Sequence, residues 1–211
     1  MSDWTARHFL HIEAHLYAGF EKHLAEEWCG FNKVDGVAQV VEVKAVVPKF
    51  YGYYLPEKVN ESVEGVDRPE PHTCNTLHRQ NSPILLLEDC GKPVDLQMLT
   101  RDQRYCFSPS LRTCLHPCYK NTKFRIEMYS LFARLHHARI LQQSPALRNM
   151  VMQPGPLTFP PHRRSIGQPS FRIIDFGRGR VETCLDWRSK ALEKRDARKG
   201  LHLDESVGKR W

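Results

Sequence analysis

The residues with the clearest chemical potential end a short apolar segment in the last third of the chain. The stretch from Ser170 to Gly177 reads Ser-Phe-Arg-Ile-Ile-Asp-Phe-Gly, so Asp175 directly follows a predicted strand. A carboxylate in such a position can bind a hard cation such as Mg²⁺. An ordinary Asp at the end of a strand instead caps the turn that follows it. Taken alone, the segment leaves both interpretations open.

Two pairs of side chains have spacings that suit a metal ion. His11 and His15 lie one helical turn apart, and Cys114 and Cys118 are close in sequence. A structural zinc site needs four ligands, and no second pair at a coherent spacing accompanies either one. The seven cysteines are odd in number and irregularly spaced, which argues against a disulfide framework. We therefore predict no zinc site and a reducing compartment.

Composition restricts the class of protein. The chain has 211 residues, 41% hydrophobic and 26% charged, which is typical of one globular domain or two small ones. The net charge of +7 permits phosphates or acidic partners, but Lys and Arg are spread along the chain. The N-terminus has no signal-peptide pattern, and no apolar run is long enough for a membrane span. We predict a cytoplasmic or nuclear protein that associates with neither membranes nor nucleic acid.

Apolar spacing predicts alternating helices and strands. Phe9, Ile12, Leu16 and Phe20 recur at helical spacing, as do Phe124, Met128, Leu131 and Leu135. The predicted order is helix 3–28, strands 37–43 and 45–54, a loop at 56–82, strand 84–88, helix 121–139, a break at 141–152, a loop at 153–170, strand 171–176 and a charged helix at 185–198. This order indicates an α+β fold. No glycine-rich dinucleotide or P-loop motif occurs, which excludes those two nucleotide-binding classes.

A second segment with chemical potential precedes the first. Residues 135–149 read Leu-His-His-Ala-Arg-Ile-Leu-Gln-Gln-Ser-Pro-Ala-Leu-Arg-Asn. Together with the Asp-Phe-Gly segment, they resemble the catalytic loop of the protein-kinase-like superfamily, whose pattern is L-H-x-x-x-[IV]-x-H-x-D-x-x-x-x-N. The similarity is to the divergent, basidiomycete-type kinase-like proteins of filamentous fungi. It spans residues 9–187 and is incomplete at both ends.

The resemblance implies a partial two-lobed kinase-like fold. Residues 1–89 would form a small-lobe remnant and residues 90–211 a large-lobe remnant that carries the catalytic-loop-like and Asp-Phe-Gly segments and a charged tail. Glu13 would be the acid on the small-lobe helix that pairs with a strand lysine.

The resemblance also implies roles for individual residues. Glu88, Asp89 and Cys90 would form the hinge whose backbone binds adenine. Asn149 and Asp175 would be the two Mg²⁺ ligands.

Departures from the family pattern shape the predicted function. Gln142 replaces the loop histidine, and Ser144 stands where the family has its catalytic Asp. A serine hydroxyl ionises far above pH 7 and cannot accept the proton of an attacking hydroxyl. The glycine-rich loop and the phosphate-binding lysine strand have no counterpart. We therefore expect a pseudokinase-like protein that binds ATP and Mg²⁺ weakly, with phosphotransfer lost or severely reduced and no catalytic residue of its own.

Two alternatives remain open. The chain could be an active atypical kinase whose glycine-rich loop and lysine strand are encoded in a longer transcript. It could instead be a non-catalytic interaction module, with the basic segment at 188–199 binding an acidic protein partner.

Overall fold

The computed structural model describes residues 3–28, 30–33, 40–56, 82–95, 117–182 and 187–203. The structure mixes helices and sheets, in agreement with the predicted α+β class. The helices are α1 (Asp3–Gly19), α2 (Lys22–Ala25), α3 (Pro117–His137) and α4 (Trp187–Gly200). The strands are β1 (Phe31–Lys33), β2 (Val40–Glu42), β3 (Phe50–Tyr54), β4 (Ile84–Leu87), β5 (Lys92–Pro93), β6 (Ile140–Leu141), β7 (Met150–Gly155), β8 (Ser165–Ile173) and β9 (Arg180–Val181).

The strands form small antiparallel sheets. Within the described ranges, β1 pairs with β2, β3 with β4, and β6 with β9, while β7 lies between β5 and β8. A single cluster of buried apolar residues includes Leu16, Leu24, Phe132, Phe176 and Leu201. The cluster therefore draws on residues from both sides of the predicted boundary at residue 89.

The predicted helix at 3–28 is confirmed up to Gly19 and is then broken into a second, short helix. Helix α1 ends at Gly19, and the short α2 follows an extended Glu21. The carbonyl of the fully buried Leu24 accepts hydrogen bonds from Val46 and Val47, at 2.6 and 3.0 Å. Because tertiary contacts take this carbonyl, it is not available to extend a helix.

Part of the predicted strand at 45–54 is not a strand. Only Phe50–Tyr54 pairs in a sheet, whereas residues 45–47 are fully buried outside any strand. Val46 instead accepts a hydrogen bond from Ile173, and its own N–H is taken by Leu24. Pro48 has no N–H to donate, so a ladder could not continue through it. The predicted strand at 37–43 is observed at Val40–Glu42, and residues 37–39 lie outside the described part.

The predicted loop at 153–170 is largely a hairpin. β7 and β8 pair from Met150↔Ile173 to Gly155↔Ser165, with a bulge between Gln153 and Gly155 that accommodates a proline. The Arg164 side chain holds the connecting loop by donating to the carbonyls of Phe159, at 2.7 Å, and Leu157, at 3.3 Å. β8 ends at Ile173, which leaves residues 174–176 beyond the strand.

Helices α3 and α4 confirm the helical predictions near 121–139 and 185–198. Met128, Leu131 and Leu135 are buried on the face of α3 that their spacing predicted. Glu127 of α3 forms a largely buried ion pair with Lys44, in which Oε1 and Nζ are 2.6 Å apart. No helix in the described residues is both long enough and apolar enough to cross a membrane.

Candidate functional site

Ser144 and Asn149 face each other across the loop that follows β6. The Asn149 amide nitrogen donates to the Ser144 carbonyl, at 2.9 Å, and to the Ser144 hydroxyl oxygen, at 3.1 Å. A 3₁₀ turn at Leu147–Asn149 brings Asn149 back toward Ser144, and Asn149 is buried. The Asn149 side chain therefore fixes the position of Ser144.

The fully buried Gln142 joins this loop to the Asp-Phe-Gly segment. Its Nε2 donates to the carbonyls of Ile174, at 3.1 Å, and Asp175, at 3.0 Å, while its Oε1 accepts from the N–H of Ser144, at 2.9 Å. The N–H of Ile174 donates to the carbonyl of Asn149, at 2.8 Å. The structure thus joins the loop that carries Ser144 and Asn149 to the backbone of Asp175, and the predicted roles of these side chains stay predictions.

The backbone at this junction is unusual. Gln143 and Asp175 have φ angles of 62° and 63°. These values lie in the left-handed region, which residues other than Gly, Asn and Asp rarely adopt. The hydrogen bonds of Gln142 hold both neighbouring turns. Asp175 is nevertheless exposed to solvent.

Asp175 and Asn149 supply the oxygen atoms that suit a hard cation. Mg²⁺ commonly takes one or two protein ligands and completes its shell with water and phosphate. The described residues contain no group of three or more His, Cys, Asp or Glu side chains placed to hold a metal ion, and His11 and His15 are exposed. The role of Asn149 and Asp175 as Mg²⁺ ligands stays a prediction. Cys114 lies outside the described residues.

Glu13 of α1 reaches the same junction from the N-terminal side. Its Oε1 accepts a hydrogen bond from the N–H of Phe176, at 3.0 Å. Burial raises the pKa of Glu13 above its ordinary value of 4.5; the Phe176 hydrogen bond opposes this, and the nearby charge of Asp175 adds to it. Two carboxylates therefore lie close enough to influence each other.

Aromatic rings secure this contact. The ring of buried Phe176 packs edge-on against Tyr17 of α1, at 5.5 Å between centroids, and against Phe20, at 5.0 Å. Burial, followed by the charge of Glu13, raises the pKa of Tyr17 well above its ordinary value. Helix α1 thus contacts the Asp-Phe-Gly segment through Glu13 and the Tyr17 ring, and Phe20, just beyond the end of the helix, adds a further ring contact.

The predicted adenine hinge forms a tight turn after β4. The N–H of Glu88 donates to the carbonyl of Lys49, at 2.9 Å, and is not available to a ligand. The Glu88 carboxylate accepts from the N–H of Lys49, at 3.1 Å, and Asp89 accepts from Gly91, at 2.9 Å. Gly91 has a φ of 89°, and an added Cβ would collide with the carbonyl of Met152. Both carboxylates therefore shape the turn.

Cys90 is the buried member of that turn. Burial, followed by the negative charge of Glu88, raises the pKa of its thiol to about 12. The thiol is therefore neutral near pH 7. Adenine binding by this turn stays a prediction.

Sequence reasoning missed Glu193. Its Oε1 accepts hydrogen bonds from the backbone N–H groups of Gln142, at 3.0 Å, and Gln143, at 3.2 Å. Its Oε2 lies 3.2 Å from Nε2 of the buried His136, without the alignment of a hydrogen bond. Glu193, Ala197 and Leu201 are buried and spaced four apart, which is the one signal that would have placed Glu193 on the inner face of α4.

Comparison of the chain with protein-family models, with curated proteins and with solved structures finds no match.

Proposed function

We propose that this chain is a kinase-like protein that has lost phosphotransfer and retains, at most, weak binding of ATP with Mg²⁺. The observation that carries the proposal is the contact between Asn149 and Ser144. Asn149 fixes a hydroxyl at the position where the resembled family places a carboxylate. A carboxylate there accepts the proton of the attacking hydroxyl, and a serine hydroxyl cannot.

The contacts around Asn149 and Asp175 support the proposal that these two residues bind Mg²⁺ together with a nucleotide. Gln142 fixes the backbone of Asp175 to the loop that carries Asn149, so the segments of the two proposed ligands keep a defined relation. This arrangement suits a Mg²⁺ ion that bridges protein and phosphate.

The electrostatics near Glu13 argue against tight binding. The Glu13 carboxylate contacts the backbone of Phe176 and Asp175, and Lys44 contacts the carboxylates of Glu127 and Glu42. Neither interaction places a lysine beside Glu13 and Asp175. A triphosphate would therefore approach two carboxylates, and only a bound cation would offset the repulsion.

Calorimetric titration of the full chain with ATP and MgCl₂ tests the proposal. We expect a dissociation constant above about 1 mM, because adenine contacts alone contribute only a few kcal/mol. Asp175→Ala should abolish the Mg²⁺-dependent part of the heat, whereas Asp196→Ala, at another exposed Asp, should leave it unchanged.

A dissociation constant below about 10 μM would contradict the weak-binding proposal, because it requires about 7 kcal/mol of contacts. Equal heats for Asp175→Ala and Asp196→Ala would remove the assigned metal role. Transfer of phosphate by the native chain would favour an active atypical kinase instead.

A further inference from the structure

The positive charge of this protein is concentrated in its C-terminal half. Residues 117–203 contain 17 Lys and Arg residues and 6 Asp and Glu residues, and no acidic residue occurs between Glu127 and Asp175. Since the whole chain has a net charge of +7, the remaining residues are net acidic. Charge asymmetry of this size along the chain suits an anionic partner for the C-terminal half.

The few acidic side chains of this half are mostly internal. Glu127, Glu182 and Glu193 are buried. Glu127 contacts Lys44, Glu182 lies 3.2 Å from Lys190, and Glu193 binds loop amides. Among the described residues of this half, only Asp175 and Asp196 present exposed carboxylates. The surface is therefore more positive than the composition suggests.

Helix α4 organises part of this charge into a stripe, which consists of Arg188, Leu192, Arg195 and Lys199. Their spacings of four, three and four residues place them on one face of the helix, and all four are exposed. Leu192 is 50% exposed, in the middle of the charges. Arg195 contacts Asp196 at 3.2 Å, but both side chains are more than half exposed, so solvent screens the pair.

The helix that carries the stripe also contacts the loop of the candidate site. A Cβ added to Gly200, at the end of α4, would lie 3.7 Å from the carbonyl of Pro145, in the loop that carries Ser144. The inner face of the same helix carries Glu193, which holds that loop. The stripe is on the opposite, exposed face of α4, so a partner could bind it without displacing the loop.

We propose that the α4 stripe is a docking surface for an acidic polypeptide segment that also carries apolar side chains. Carboxylates of the segment would pair with Arg195 and Lys199, and an apolar side chain would cover Leu192. The Arg guanidinium suits carboxylates because its planar donors can bind both oxygen atoms. Charge complementarity selects the acidic character, and the exposed Leu192 selects the apolar component.

Other anionic partners fit the stripe less well. Single-stranded nucleic acid is commonly bound by aromatic side chains that stack on bases, and the stripe contains none. A helix that lies on a membrane needs a broad apolar face, and the apolar residues Ala197 and Leu201 are buried in the core. One exposed Leu between cations suits a short peptide better than a lipid surface.

Fluorescence anisotropy with the full chain tests the surface. The probes are a labelled peptide that alternates Glu with Leu, a labelled polyglutamate of the same length, a single-stranded RNA oligonucleotide and phosphatidylserine vesicles. The test variant is Arg195→Glu/Lys199→Glu. The control is Lys22→Glu/Lys33→Glu, which makes the same charge change at exposed positions in α2 and β1. Circular dichroism melts confirm that each variant folds.

We expect the Glu-Leu peptide to bind, with affinity falling at least about tenfold in the α4 variant and less than about twofold in the control. Leu192→Ala should weaken binding of the Glu-Leu peptide but leave that of polyglutamate unchanged. Equal losses in the α4 and control variants would show a diffuse field and overturn the docking surface. The docking surface would also be overturned if the Glu-Leu peptide did not bind, or if RNA or vesicles bound more tightly than the peptide and lost this binding in the α4 variant.

Discussion

Glu13 and Phe176 are 163 residues apart in the sequence, yet the Glu13 carboxylate accepts the backbone N–H of Phe176 at 3.0 Å. This hydrogen bond fixes helix α1 to the Asp-Phe-Gly segment. It also brings a half-buried carboxylate close to Asp175, and burial raises the pKa of Glu13. The contact consequently has a measurable dependence on pH.

We expect Glu13→Gln to change how stability depends on pH. Because the folded state raises the pKa of Glu13, the folded protein binds this proton more tightly than the unfolded chain does. The contribution is present below the ordinary value of 4.5 and is lost as pH rises through the folded pKa. Urea denaturation at several pH values should show wild type losing stability relative to Glu13→Gln over this window. The control is Glu26→Gln, at an exposed position, which should follow the pH dependence of wild type. A parallel pH dependence of wild type and Glu13→Gln would contradict the raised pKa.

Glu193→Ala should destabilise the protein by about 2–4 kcal/mol, because two backbone N–H groups lose a charged acceptor in a buried place. Asp196→Ala, on the exposed face of the same helix, should change stability by less than about 0.5 kcal/mol. Chemical denaturation followed by circular dichroism measures both. Similar small losses in the two variants would show that the loop does not depend on Glu193.

Ser144→Asp should not produce phosphotransfer. An added base contributes about 10²–10⁴-fold, but positioning and neutralisation of the phosphates are separate requirements. The Pro145 ring also restrains residue 144 to extended conformations. A radiolabelled-ATP transfer assay on wild type, Ser144→Asp and Ser144→Asp/Asp175→Ala checks the expectation. Label transferred by the single variant and lost in the double variant would show that only the base had been missing.

Cys90 should resist alkylation in the folded protein. Its pKa is about 12, against an ordinary 9.0, so near pH 8 the thiolate fraction is lower by about a thousandfold. Iodoacetamide labelling followed by peptide mass spectrometry should show Cys90 modified in urea and protected in buffer. Rapid labelling of Cys90 in buffer would mean that the turn after β4 opens readily.

The β3–β4 sheet should promote self-association. It is two-stranded within the described residues, and Ile84 and Leu86 are 57% and 45% exposed on it. Exposed edges and apolar faces of this kind favour pairing between chains. Light scattering should show less association for Ile84→Lys than for wild type, and no change for Ile166→Lys, which replaces a similarly exposed Ile on β8. A monomeric wild type at high concentration would contradict the prediction.

Local patterns predicted the elements that pack by periodicity. Met128, Leu131 and Leu135 placed α3 because burial on one helical face depends only on spacing. The β7–β8 hairpin was missed because Pro154 and Pro169 weaken a strand pattern. In the structure both prolines lie where the register shifts, between the pairs Gln153↔Ser170 and Gly155↔Ser165. Proline content reports on local propensity and cannot report on the partner strand.

The candidate site was predicted in its order along the chain and not in its contacts. Ser144, Asn149 and Asp175 were identified from sequence, and the structure brings their segments together. Gln142 was recognised only as a departure from a pattern, although its amide group joins the two segments. Glu193 gave no chemical signal, because a Glu in a charged helix usually faces solvent. The side chains of Gln142 and Glu193 bind backbone groups, and such contacts cannot be predicted from the pattern of side chains along the sequence.

The long sequence separations around this junction have a consequence for biosynthesis. Glu13 leaves the ribosome 163 residues ahead of Phe176, and Gln142 leaves 51 residues ahead of Glu193. The two hydrogen bonds cannot form until Phe176 and Glu193, respectively, have been made, and the entropy of closing such long loops slows folding. The loop after β6 should therefore become ordered only after α4 has been made. Premature termination before α4 would release a chain in which Gln142 and Gln143 lack their acceptor, a natural target for quality-control proteases.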